Sequence, residues 1–119
     1  MQGDKLKLKN IFEFDKDKSG EGREIFEAIA SGEGEFKVER IISTGQVTPN
    51  EEVYDQDKDE LVFLVEGEAR LLFVEDDREI ILNKGSYVFI KAHCKHKVTY
   101  TSKEPPCVWI AIHGSLNME

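Results

Sequence analysis

The chain has 119 residues, a formal net charge of -8 and a pI near 4.9. Its length suits one domain with one core, and the acidic balance argues against a nucleic-acid backbone or an anionic membrane surface as main partner, because like charges repel at long range. With 39% hydrophobic and 34% charged residues, and apolar clusters along most of the length, wholesale disorder is excluded.

In chain order, the start Met1-Gln2-Gly3-Asp4-Lys5-Leu6-Lys7 lacks the apolar stretch of a secretion signal, and no apolar run approaches the span of a bilayer. A soluble cytoplasmic protein is expected. Residues 1–35 read as an N-terminal arm. Within it, Asp15 to Gly22 is a polar, glycine-containing loop, and Glu24 to Ala30 places Ile25, Phe26 and Ile29 at helix-like spacing before Ser31-Gly32, which predicts a short helix. Asp15-x-Asp17-x-Ser19-Gly20 copies the opening of an EF-hand loop but ends on Phe26 where a bidentate glutamate belongs, so calcium is not expected there.

Residues 36–119 carry short strands separated by turns, the pattern of an all-β sandwich or barrel. The predicted strands are Phe36 to Thr44, Glu60 to Glu66, Glu68 to Val74, Glu79 to Leu82, Ser86 to Ile90, His96 to Thr101 and Val108 to His113. Between them lie Gly45 to Asn50, Glu66-Gly67, Glu75 to Asp77, Asn83 to Gly85 and Ser102 to Pro106. Alternation puts His96, Val98 and Tyr100 on one face of their strand, the expected interior, and Lys97, Thr99 and Thr101 on the other. The run Leu61 to Val65 is apolar on both faces, so it is expected away from a sheet edge, covered by the barrel interior and by a second sheet or subunit. Asp55, Asp57 and Asp59 share a face opposite to Glu60; a solvated entry to the barrel explains them better than a calcium site. Cys94 and Cys107 lack any C-x-x-C spacing and read as bland thiols, although Cys94 between His93 and His96 leaves a reactive or metal-bound thiolate open. No nucleophile elbow, P-loop or dinucleotide glycine pattern occurs.

Two stretches carry a resemblance. Glu60 to Gly67 has the E-x6-G spacing around an apolar strand, and Gly85 to His96 has a glycine and a histidine at the spacing of a second motif. Here the chain resembles the cupin superfamily over roughly Phe36 to His113, which implies an antiparallel double-stranded β-helix, a jelly-roll barrel, with the short helical arm in front. The resemblance also implies a homodimer and a small-molecule pocket in the barrel mouth, lined by Tyr54, Gln56, Glu60, His93, His96 and Tyr100. Most metal-binding cupins hold Fe, Mn, Ni or Zn with three histidines and one carboxylate. This sequence departs from that set: Tyr54 and Gln56 stand where two histidines belong, Lys91 and His93 replace the second motif's proline and glycine, and Tyr100 stands at its terminal asparagine.

Two readings of the remnant stay open. In one, Glu60, His93 and His96, with a weaker His113 and an oxygen from Gln56 or Tyr54, hold one divalent transition metal (Zn, Ni, Mn or Fe) for isomerase or dioxygenase chemistry. In the other, no metal binds: Glu60 and His96 form a buried hydrogen-bonded pair in a ligand-binding or sensing module, His93 is a loop residue and His113 caps the last strand.

Overall fold

The structure is a computed structural model and describes residues 8–15 and 22–119. Eight strands follow in order: β1 (Ile25–Ser31), β2 (Lys37–Ser43), β3 (Asp59–Glu66), β4 (Ala69–Phe73), β5 (Arg78–Leu82), β6 (Tyr87–Ile90), β7 (His96–Thr101) and β8 (Cys107–Gly114). They form two antiparallel sheets, ordered β1-β2-β8-β3-β6 and β5-β4-β7. This is the expected all-β jelly roll. The doubly apolar β3 lies between β8 and β6, away from either edge, as its pattern required. Among the described residues no helix is long and apolar enough to cross a membrane.

The helix expected over Glu24 to Ala30 is not formed; the segment is strand β1, paired to β2 from Ile25↔Ile42 to Ser31↔Lys37. Its pairing skips Ile29, because Ala28 faces Glu39 while Ala30 faces Val38. Such a bulge breaks the period of two, and the resulting Ile25, Phe26, Ile29 spacing imitates a helix. A seven-residue segment gains little as an isolated helix, whereas β2 offers a full edge of backbone partners. The EF-hand-like stretch lies, beyond Asp15, outside the described residues.

Register stacks the interior in layers. Glu60 on β3 faces His113 on β8, Val62 faces Ala111, and Leu64 faces Trp109; Glu39 and Ile41 on β2 lie opposite Ala111 and Trp109. From the second sheet Ala69, Leu71, Leu82 and the partly buried Phe73 and Val98 close over them, and Ile90 of β6 joins the same core. On the other face of the large sheet Val65 packs near Ile25, Ile42 and Val108, with Phe14 of the N-terminal segment over them. The interior is thus apolar toward Leu64 and Cys107 and polar toward Glu60 and His113.

Two local features set the edges of the core. Gly67, the glycine of the first motif, has φ +96, and a Cβ there would lie 2.8 Å from Ser102 Oγ and 2.9 Å from Cys107 Cα, so glycine is required sterically as well as conformationally. In β7 the pairing with β4 runs Leu71↔Val98 and then Arg70↔Tyr100, skipping Thr99. This second bulge overturns the expected face. Tyr100 points outward, 42% exposed, with the Arg70 guanidinium 5.7 Å from its ring, while Thr101 turns inward and its hydroxyl donates to the Gln46 carbonyl at 2.7 Å.

Candidate functional site

The polar end of the interior contains a cavity of about 90 Å³, several times the roughly 10–15 Å³ that one water requires. Its apolar wall comes from alternate positions of the core strands, among them Ile41, Val62, Ile90 and Trp109. Tyr54, Gln56, Glu60, His96 and His113 all line it, so five of the expected site residues meet here. Tyr54 is placed by the connection from β2 to β3, which runs along the free edge of β7: Thr48 N–H donates to the Val98 carbonyl at 2.9 Å, and Tyr54 and His96 exchange backbone hydrogen bonds of 2.8 and 3.1 Å.

His93 and Tyr100 do not line this cavity. Tyr100 is turned out by the β7 bulge. His93 has a left-handed backbone, φ +65, at the position where the second motif carries glycine; its side chain is 69% exposed and its Nδ1 lies 2.9 Å from Asp55 Oδ1. Asp59 spends both oxygens on backbone N–H groups, those of Ala92 (2.9 Å) and Leu116 (3.0 Å), which hold its carboxyl below the usual carboxylate range. The Asp55, Asp57, Asp59 row is therefore structural on its ends. Both cysteines are free thiols, and burial raises the pKa of each, which disfavours the thiolate form of Cys94.

Two lining residues were not visible as site residues in the sequence, Glu24 and Glu39. Glu39 Oε1 lies 3.3 Å from His113 Nε2, and the same nitrogen is 3.9 Å from Glu60 Oε2. The Lys37 ammonium reaches Glu39 Oε2 at 3.5 Å from outside the cavity. Glu24 accepts from the Ser43 hydroxyl at 2.6 Å, and Ser43 in turn accepts from the Trp109 indole N–H at 3.1 Å. Burial raises the Glu24 carboxyl and Ser43 pulls it partly back.

Glu60 is only 7% exposed and accepts no hydrogen bond from the described residues, since 3.9 Å is too long for one. Burial, with the nearby Glu39 charge, pushes its carboxyl up to about 7. His96, 4% exposed, donates from Nδ1 to the Cys94 carbonyl at 2.8 Å, which fixes the tautomer and leaves Nε2 with the lone pair. Burial lowers its pKa, so the ring is held neutral, stacked on Tyr54 with ring centres 5.4 Å apart. Burial and surrounding glutamates raise the Tyr54 phenol, keeping it protonated. The hydrogen-bonded Glu60–His96 pair expected of a metal-free barrel is not formed; His113 is the imidazole beside Glu60.

Residues 38–113, well over half the chain, match the family described as Cupin domain. The chain belongs to the cupin family. Among solved structures, this cupin is similar to a protein from Ralstonia eutropha JMP134 provisionally named a mannose-6-phosphate isomerase: 33% identity, 93% of this chain and 100% of that one covered, TM-score 0.82. A cupin superfamily protein from Desulfitobacterium hafniense DCB-2 shares 18% identity over 79% of each chain, with TM-score 0.65. The Fe(II) form of HppE shares 16% identity over 76% of this chain and 49% of that one, with TM-score 0.62, a likeness of fold alone. No curated protein matches.

The family implies a metal at the interior His positions, and the residues of this cupin do not fit one. Tyr54 is a protonated phenol, Gln56 is a neutral amide, His93 is outside, and among the described residues no three His, Cys, Asp or Glu side chains are grouped so as to hold a metal ion.

Proposed function

We propose that this cupin binds a small molecule in the cavity at the polar end of its barrel through its own side chains, without a transition metal. The carrying observation is Glu60: a carboxyl more than nine-tenths buried, facing a cavity and accepting no hydrogen bond from the described residues, is a recognition group awaiting a partner. Tyr54 offers a donor, neutral His96 an acceptor, and Trp109 with the aliphatic wall a surface for an apolar part.

A second reading, isomerase-type proton transfer, is favoured by the Glu60 carboxyl near 7, which could exchange a proton at neutral pH. The provisional name of the Ralstonia protein points the same way, but a sugar phosphate suits this cavity poorly, because no Lys or Arg lines it among the described residues. Homodimerisation is part of the proposal. β1 is an edge strand with half-exposed Phe26 and Ile29, a surface that a second copy would cover.

Elemental analysis of the purified protein tests the metal-free reading. Substoichiometric Zn, Ni, Mn and Fe, with cavity binding of small molecules unchanged by a chelator, is expected. Stoichiometric metal that is lost in His96→Ala would overturn it. Light scattering should report a dimer, and a monomer at all concentrations would remove that part.

A further inference from the structure

Three glutamates, Glu24, Glu39 and Glu60, come from three different elements into one cavity, and their compensation is uneven. Glu39 already has Lys37 at 3.5 Å and His113 at 3.3 Å. Glu24 accepts from the Ser43 hydroxyl. Glu60 has only His113 Nε2 at 3.9 Å, a nitrogen that Glu39 holds more closely, and it is more than nine-tenths buried without a hydrogen bond among the described residues. His96 is held neutral, so it supplies no balancing charge. A buried carboxylate without a protein donor is costly unless water, a cation or a proton reaches it, and of these a cation also balances its charge. The same cavity is lined by aromatic and aliphatic surfaces, Trp109, Tyr54, Val62 and Ile90, with Ile90 directly beside Glu60 in the β3–β6 pairing, and such surfaces accept a short apolar stem or, at the rings, a cation.

Resting on the binding function proposed above, we infer that the ligand is a small organic cation, an ammonium group on a short apolar stem, with its charge against Glu60 and its stem against Trp109 and the aliphatic wall. Glu24, which also lines the cavity, adds long-range attraction. Anionic ligands are rejected, because bringing a phosphate or carboxylate into this lining adds like charge, no Lys or Arg among the described residues lines the cavity, and Lys37 is already held by Glu39. The proton that Glu60 holds near neutral pH is the stand-in for that cation when the cavity has no ligand.

The test is an NMR titration of the full chain at about pH 8 with three probes of one shape: butylammonium, 1-butanol and butyl phosphate. Butylammonium should saturate and shift the Trp109 indole and His96 and His113 ring signals, with the other two probes far weaker. Glu60→Gln should weaken butylammonium by about tenfold or more, the loss of one charge-assisted contact, and Glu24→Gln by a smaller factor. Glu79→Gln, on the outside of β5 where Glu79 accepts from Thr99, controls for general attraction to an acidic protein and should change nothing. If 1-butanol or butyl phosphate binds the cavity better, the small-molecule reading stands and the cation inference falls. Butylammonium binding that ignores both Glu60→Gln and Glu24→Gln also overturns it, and failure of all three probes to move cavity signals overturns both.

Discussion

At one end of the barrel interior Leu64, Ala69, Leu82 and Cys107 are removed from water and every polar neighbour is answered: Ser102 accepts from the Glu68 N–H at 3.0 Å and donates to the Pro105 carbonyl at 2.7 Å. At the other end, on the same strands and a few residues away, Glu60 is also buried but has no hydrogen bond from the described residues and faces a cavity. The first kind of burial stabilises the fold. The second opposes it, and a sequence that keeps such a group keeps it for what enters the cavity.

Breaking the apolar end should have the largest effect. Leu64 is fully buried between the sheets, so Leu64→Ala should cost about 2–5 kcal/mol in urea unfolding. A loss below about 1 kcal/mol would mean that the layer around Leu64 is not the stabilising one.

The polar end should respond with the opposite sign. The Glu60 carboxyl is pushed from its ordinary 4.5 to about 7 in the fold, so the folded protein binds that proton more tightly than the unfolded chain. Its contribution is fully present below about pH 4.5 and is lost as pH rises through about 7. Burial acts on it most, followed by the Glu39 charge, which raises it, and the Lys37 charge, which lowers it; His113 faces it at 3.9 Å. Glu60→Gln removes this dependence, and above pH 7 the variant should gain up to about 3 kcal/mol over the wild type, with the gain vanishing near pH 4.5. Urea unfolding at several pH values checks it; equal stability at high pH would contradict the burial argument. His96 acts on the other limb: its lowered pKa means that stability is lost as pH falls below its ordinary 6.5.

The smallest effect is expected outside the barrel. Tyr100→Ala removes an exposed ring and its contact with Arg70, so it should shift stability by less than about 1 kcal/mol and leave cavity titrations unchanged. A loss of binding in this variant would return Tyr100 to the site.

Strand positions after Phe36 were legible because alternating burial imposes period two and turns demand particular residues, and Gly67 was legible because only glycine fits its turn. Two of the departures share one physical source. Bulges at Ile29 in β1 and Thr99 in β7 each insert one residue, which imitated a helix in the first case and reversed the face of Tyr100 in the second. Five site residues, Tyr54, Gln56, Glu60, His96 and His113, could be found from motif spacing and alternation. Glu24 and Glu39 could not: their place depends on β1 and β2 closing the cavity, and only their even spacing from Ile41 along β2 could have hinted at Glu39. The motif position of His93 does not determine its side-chain direction: with a left-handed backbone, its side chain is 69% exposed.

The state of the Glu60 carboxyl tests the account most directly. Carbon-detected NMR of the side-chain carboxyl, in ligand-free protein and again with butylammonium, reads its titration. The account predicts a midpoint near 7 in the free protein that falls when the cation is added. A midpoint near the ordinary 4.5, unmoved by butylammonium, would contradict it.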